Sequence, residues 1–192
     1  PGADGTVDLQ LHIRHMPGGA FTDKLFDGTV KEREVMRFEG PLGTFFLRED
    51  SPKPIVMVAS GTGFAPIKAM CEYAFRRGIN KTRPFTVYWG CRVKSDLYML
   101  ELAEQWGREQ PNVKFIPVLS DATAADAWTG RTGFVHRAVM EDFADLSGHQ
   151  VYACGAPVMV DAARADFVAK CGLPEAEFFA DSFLSEADKA PA

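Results

Sequence analysis

PIVMVASGTGFAPIKAM, residues 54–70, decides the fold. Apolar residues run without a break from Ile55 to Ala59, meet Ser-Gly-Thr-Gly, and then recur as Ile67, Met70, Cys71 and Ala74. The first run reads as a buried strand; the second has helical spacing and gives a helix one apolar face. The glycines therefore fall where a strand hands over to a helix. In such a turn the backbone N–H groups point outward, and the helix dipole adds partial positive charge. A diphosphate fits there if no side chain blocks it. Gly61 and Gly63 remove side chains, Thr62 supplies a hydroxyl, and Pro66 suits a first helical turn, where an N–H is dispensable. A tight turn alone accounts for these glycines equally well, because no third glycine stands at the usual Rossmann position.

The same rhythm continues downstream. FTVYWG (85–90), VKFIPVLS (113–120), QVYACG (150–155) and AEFFADSF (176–183) read as strands. DLYMLELAEQW (96–106), FVHRAVMEDF (134–143) and PVMVDAARADFVAK (157–170) read as helices between them. Alternating strands and helices predict an α/β fold, with a five-stranded parallel sheet and helices on both faces. Upstream the rhythm differs. TVDLQLHIRH (6–15) partly alternates as a half-buried strand does, MPGGAFTDKLF turns into a short helix, and EVMRFEGPLGTFFLRED reads as one or two strands broken at Gly-Pro-Leu-Gly. Two or three strands are too few to close a barrel. Residues 1–50 are thus expected to be the end of a domain that begins elsewhere, and residues 51–192 a second domain, with DSPKP as the linker.

Composition narrows the function classes. The chain is 46% hydrophobic and 24% charged, as globular proteins are, and its net charge of −5 argues against a broad nucleic-acid surface. No run of about 18 apolar residues suits a membrane span, and no signal peptide opens the sequence. Cys71, Cys91, Cys154 and Cys171 have neither zinc nor iron–sulfur spacing, so free thiols in a cytoplasmic protein are expected.

Two further glycine turns follow strands. In PGGAFT (17–22), Thr22 could cap a helix or bond a phosphate; a plain turn with an N-cap explains the stretch as well. In YACGAPVMV (152–160), Cys154 and Gly155 end a strand at the edge where open α/β sheets bind ligands, although a lone cysteine is commonly a small buried hydrophobe.

Taken together, HIRHMPGGAFT, GPLG, SGTGFAP, WGCR, CGAP and FADSF make the chain resemble the ferredoxin–NADP reductase superfamily, from about residue 6 to residue 184. Within it, the chain is similar to iron–sulfur flavoprotein reductases that use NADH and serve dioxygenases, phenol hydroxylases and the CDP-6-deoxyhexose pathway. The resemblance implies an antiparallel flavin-binding β-barrel, of which residues 1–50 would be the C-terminal part, followed by an NAD(P)-binding domain. It implies that His12, Ile13 and Arg14 line the flavin, and that Gly19, Ala20, Phe21 and Thr22 hold its diphosphate. Gly61, Thr62, Gly63 and Pro66 would hold the diphosphate of the nicotinamide dinucleotide, with Cys154 and Gly155 beside the nicotinamide. Phe183 matches an aromatic that covers the flavin ring, and Asp181 an acidic position near the nicotinamide. Cys154, Asp181 and Phe183 are therefore the expected catalytic set. The family's Arg-x-Tyr-Ser flavin motif and its ferredoxin-like cysteine run are absent, and nine residues follow Phe183.

The implied function is an NADH-dependent flavoprotein reductase. Hydride would pass from NADH to FAD, and single electrons to a 2Fe–2S centre outside this chain or to an acceptor protein; no metal site is expected within it. A flavohaemoglobin-type reductase half and a non-catalytic nucleotide-binding module are the alternatives. NADH is expected over NADPH because Ser120 and Asp121 end the third strand, and an acidic residue there repels a 2′-phosphate. Arg92 is either a solvated charge or a contact to the adenosine half. His15, His136 and His149 have no ligand spacing.

Overall fold

The computed structural model describes residues 9–40 and 42–184. Thr6–Asp8 of the first expected strand and Pro41 of GPLG lie outside the described residues. The chain forms two compact units, Pro1–Thr44 and Phe45–Ala192.

In the larger unit, β1 (Ile55–Ser60), β2 (Phe85–Cys91), β3 (Val113–Leu119), β4 (Arg131–Thr132), β5 (Gln150–Gly155) and β6 (Phe178–Ser182) form one sheet of order β4-β3-β2-β1-β5-β6. Every pairing is parallel. The sheet therefore has six strands where five were expected. The extra one, β4, is two residues long and pairs Arg131 with Val118 and Thr132 with Leu119. A pairing that short has no apolar periodicity, so only its register against β3 reveals it.

The helices α2 (Phe64–Arg77), α3 (Leu100–Glu109), α4 (Val135–Asp142) and α5 (Pro157–Cys171) supply the crossovers. Successive strand residues face opposite sides of a sheet, and β1 shows why its run is continuously apolar. Ile55, Met57 and Ala59 join Phe64, Ile67, Ala74 and Trp106 in a core beneath α2 and α3. Val56 and Val58 join Val139, Val160, Ala163 and Phe167 beneath α4 and α5. Helices thus cover both faces, as the sequence pattern predicts.

Residues 45–50, placed with the upstream segment by the sequence reading, pack here with the sheet unit. Arg83, almost fully buried, donates to the carbonyls of Arg48 (2.7 Å) and Lys53 (2.9 Å) and to Gln150 Oε1 (3.0 Å). The Tyr152 hydroxyl accepts the Arg48 N–H at 2.9 Å. These bonds tie the segment entering β1 to the base of the sheet.

In the smaller unit, α1 (Thr22–Phe26) follows the Pro-Gly-Gly turn as expected. The strands expected within 6–15 and 34–50 form no ladder among the described residues. Alternation of apolar and polar residues reports a two-sided environment; it does not supply the neighbouring strand that backbone N–H and C=O groups need.

Among the described residues no helix is long and apolar enough to cross a membrane. No group of three or more His, Cys, Asp or Glu among them could hold a metal ion.

Candidate functional site

At the carboxyl edge of the sheet, Ala59 of β1 stands opposite Cys154 of β5. From this pair, β2 continues the sheet on one side and β6 on the other. In open α/β sheets such a switch point opens a crevice between the strand ends.

The residues Gly61–Gly63 form one 3₁₀ turn between β1 and α2. Gly61 has φ +52°, and a Cβ there would meet nothing within 4 Å. Its backbone is left-handed, and its outer side is open to an approaching group. Gly63 is different. A Cβ there would collide with the Cys154 carbonyl and lie 2.7 Å from the Gly155 Cα. Gly155, at φ +136°, would in turn place a Cβ 2.6 Å from the Ser60 carbonyl oxygen. One glycine leaves room for a ligand, while two let the β1–α2 and β5–α5 turns wedge together. The sequence gives no sign of this division, since a glycine needed for backbone packing looks like one needed for access. The wedge is fastened by Ser60 Oγ, which accepts the Ala156 N–H at 3.0 Å. A cradle with no side chain at Gly61, at the start of the 14-residue helix α2, fits a diphosphate.

Aromatic rings support the turn from beneath. The Trp89 indole N–H donates to the Gly61 carbonyl at 2.9 Å. Its ring stacks on Phe64 at 3.9 Å and 9°, and Tyr98 meets it edge-on at 5.1 Å.

Cys154 has no exposed surface. Burial pushes its thiol well above the ordinary range, and the Asp181 carboxylate adds to the effect. Cys154 is thus a neutral thiol in the core beside the crevice, with nothing to make it a nucleophile. Asp181 pairs with Cys154 in register and is exposed. The Phe183 N–H donates to the Gly155 carbonyl at 2.9 Å, extending β6 by one bond, and its side chain is exposed. Four sequence-selected residues, Cys154, Gly155, Asp181 and Phe183, therefore meet beside the Gly61–Gly63 turn.

At the ends of β2 and β3, Arg92, Ser120 and Asp121 form a second cluster. The Asp121 carboxylate accepts from Arg92 Nε and Ser120 Oγ, both at 3.1 Å. The backbone extends the β2–β3 ladder through Ser120 N–H to Cys91 O and Asp121 N–H to Arg92 O, both at 2.9 Å. The Arg92–Asp121 pair is open to solvent. Arg131 belongs to a different network: it donates to the Ala138 carbonyl at 2.9 Å and to Asp142, whose carboxylate also accepts from Tyr88.

In the smaller unit His12 and Ile13 are half-buried, and Arg14, Ala20 and Phe21 are exposed. The Thr22 hydroxyl donates to the Met16 carbonyl at 2.9 Å and accepts the Met16 N–H at 3.2 Å. Gly19 lies inside this clasp, where a Cβ would sit 2.9 Å from the Met16 carbonyl oxygen. Asp23, which sequence reading passed over, bonds His15 Nε2 (2.8 Å) and the Gly18 N–H (3.0 Å). His136 faces Asp166 at 3.5 Å from a nearly buried position, and His149 packs edge-on against Phe143. His15 is thus a surface partner of Asp23, while His136 and His149 pack within the sheet unit. Ser60, Trp89 and Ala156 were also missed, because their roles depend on partners distant in sequence.

Comparison with known proteins agrees with this geometry. Residues 57–165 match the oxidoreductase NAD-binding domain family. The chain is 44% identical over 184 residues to the CDP-6-deoxy-L-threo-D-glycero-4-hexulose-3-dehydrase reductase of Yersinia pestis, covering 96% of this chain and 53% of that protein. It is 34% identical to the phenol hydroxylase P5 protein of Acinetobacter pittii, covering 95% of this chain and 51% of the relative. Among solved structures, the Amycolatopsis cytochrome P450 reductase GcoB superposes with a TM-score of 0.76 at 32% identity, over 90% of this chain and 51% of the other. The chain spans about half the length of the curated relatives it matches. With the matched segment covering more than half of its residues, the chain belongs to the oxidoreductase NAD-binding domain family.

Proposed function

We propose that the chain is the nicotinamide-binding part of an NADH-dependent flavoprotein reductase that serves an electron-acceptor protein. The observation that carries this is the pair of wedged glycine turns at the sheet's switch point, one open at Gly61 and the other ending beside Asp181 and Phe183. The names of relatives that are reductases of a dehydrase and of a cytochrome P450 support electron delivery to a separate protein.

In this reading Gly61, Thr62 and the first turn of α2 through Pro66 receive the diphosphate, with Gly63 holding α2 against β5. Cys154, Gly155 and Asp181 border the nicotinamide. Cys154 contributes a small neutral surface from within the core. Phe183 covers the flavin ring and moves aside for the nicotinamide. Asp121, oriented by Arg92 and Ser120, accepts a hydrogen bond from the adenosine ribose 2′-hydroxyl, which selects NADH over NADPH. In the smaller unit His12, Ile13 and Arg14 line the flavin, and Gly19, Ala20, Phe21 and Thr22 take the diphosphate of FAD. When bound, NADH supplies the hydride and FAD parcels the electron pair into single electrons for a 2Fe–2S centre outside this chain or for an acceptor protein. The protein's own work is positioning: donor and acceptor atoms held about 3–3.5 Å apart lower the barrier by several kcal/mol. A cytoplasmic setting supplies the NADH.

Calorimetric titration of the purified chain with NADH, followed by dye reduction with NADH and added FAD, tests this. NADH binding by the chain is expected, and dye reduction is expected once the rest of the flavin barrel is supplied. Binding with no reduction in that complete form favours a non-catalytic nucleotide module, and absence of NADH binding overturns the reading.

A further inference from the structure

Trp89 is fully buried, yet its one polar atom is committed to the turn that faces the ligand. It stands on β2 opposite Ala59, two residues before Gly61, and so directly beneath the handover from strand to turn. The Gly61 carbonyl accepts its indole N–H at 2.9 Å. A trans peptide sets its C=O and N–H on opposite sides. Fixing the Gly61 carbonyl toward the buried indole therefore sends the Thr62 N–H the other way, out of the core. The left-handed Gly61 backbone, φ +52°, makes this orientation reachable.

Packing explains the ring and leaves the N–H over. Phe64 stacks on Trp89 at 3.9 Å, Tyr98 meets its edge, and Trp106 backs Phe64 at 5.7 Å. A phenylalanine would serve such a stack. The Gly61 carbonyl also accepts the Phe64 N–H within the 3₁₀ turn, and the indole nitrogen adds a second, directional bond to it from the core.

We propose that Trp89 is a positioning residue of the diphosphate turn: its indole N–H presets the Gly61–Thr62 peptide so that the Thr62 N–H is already aimed at the incoming diphosphate. Without that bond the Phe64 N–H alone holds the Gly61 carbonyl, the peptide samples other orientations more often, and binding must select the competent one. The proposal rests on the diphosphate reading of this turn.

The test uses the full chain and ADP-ribose as probe. Trp89→Phe keeps a stacking ring and deletes the N–H; it is expected to weaken ADP-ribose about five- to tenfold. Trp106→Phe perturbs the same aromatic stack without touching the turn. It is expected to lower stability while leaving affinity within about twofold of the parent. Trp89→Phe binding within about twofold of the parent, as a folded protein, overturns the proposal. In the unmutated chain the three tryptophan indole N–H signals are resolvable by NMR, each assigned by its replacement. The Trp89 signal should exchange slowly with solvent and shift on saturation with ADP-ribose. If Trp89→Phe does not fold, this measurement decides alone, and an unmoved Trp89 signal overturns the proposal. Should the unmutated chain fail to bind ADP-ribose, the diphosphate reading itself falls and takes the proposal with it.

Discussion

Ser60 Oγ accepts the Ala156 N–H at 3.0 Å, a bond between residues 96 positions apart that ties the turn after β1 to the turn after β5. Ala156 is the N-cap of α5, and its own N–H, which no helical carbonyl reaches, is satisfied by the serine that ends β1. Ser60→Ala leaves that N–H to water, which can reach it because Ala156 is exposed. The expected stability loss is therefore small, about 0.5 kcal/mol. The larger consequence is geometric. The two turns carry the diphosphate and nicotinamide parts of the proposed NADH site, and hydride transfer is sensitive to small displacements. In the proposed reductase, Ser60→Ala should slow flavin reduction by NADH about tenfold, with ADP-ribose affinity within about twofold of the parent. Stopped-flow reduction beside a calorimetric titration reads both; equal losses in the two would show that Ser60 only holds the fold.

The glycines of the same turn separate access from packing. Gly61→Ala introduces a side chain into open space on a left-handed backbone and should cost about 1 kcal/mol. Gly63→Ala drives a methyl group into the backbone of Cys154 and Gly155, where no flexible side chain can give way. It should cost about 3 kcal/mol or more. Urea denaturation of the two variants measures the contrast. Similar costs would mean that α2 can lift off β5 without penalty.

These two glycines also show where sequence reading stops. The apolar run 55–59, the helical spacing of Ile67, Met70 and Ala74, and the turn residues between them were enough to place the sheet, its helices and the crevice, since each signal lies within one local segment. The β4 pairing was not legible, because two residues carry no period. The strands expected before residue 50 were read from alternation, which holds no information about whether a partner strand is present. The roles of Ser60, Trp89 and Gly63 depend on contacts across the sheet with Ala156, Gly61 and Cys154. The residue types were visible, but their partners were not. Arg92 and Asp121 fall between these cases: both were selected by sequence, but their mutual pairing appears only in three dimensions.

The buried thiols give a pH signature. Burial raises Cys71 and Cys154 well above the ordinary thiol value of 9.0. In the unfolded chain they ionise near that ordinary value; in the folded chain they stay protonated. A raised folded value means stability fully present below about pH 9 and lost as pH rises beyond it. Each thiol should steepen the decline by up to about 1.4 kcal/mol per pH unit. Denaturation curves from pH 8 to pH 10.5 should fall less steeply for Cys154→Ala than for the parent. At pH 8 iodoacetamide should leave Cys154 unmodified in the folded chain and alkylate it in urea. Rapid native alkylation would place Cys154 at the surface as a reactive thiol and overturn its assignment to the core.

In the proposed site, Asp121 sets the choice of coenzyme through charge. Its carboxylate accepts from Ser120 Oγ and Arg92 Nε, and the Arg92–Asp121 pair stands in solvent, with side chains 72% and 57% exposed. A 2′-phosphate brought beside it meets a like charge. At an effective dielectric of about 20 and a separation of about 4 Å this costs on the order of 4 kcal/mol, which solvent and the paired guanidinium reduce substantially. A remainder of about 1.4 kcal/mol is a tenfold preference for the coenzyme without the phosphate. Arg92 is the reserve in this arrangement. While Asp121 engages its Nε, the guanidinium charge is largely offset by the carboxylate; once Asp121 is replaced, it becomes a stronger partner for a phosphate. Arg131 does not compete for the role, being bound to Asp142 and the Ala138 carbonyl. The parent chain should therefore bind ADP-ribose at least about tenfold more tightly than 2′-phospho-ADP-ribose. Asp121→Ser should close the gap by releasing Arg92, and Asp121→Arg should reverse it, with the reversal shrinking as salt is raised. Calorimetric titration of the three proteins with both ligands reads the whole series. Equal affinities in the parent, or no gain for the phosphorylated ligand in Asp121→Arg, would reduce Asp121 to the first residue of a polar loop and leave coenzyme choice to groups elsewhere.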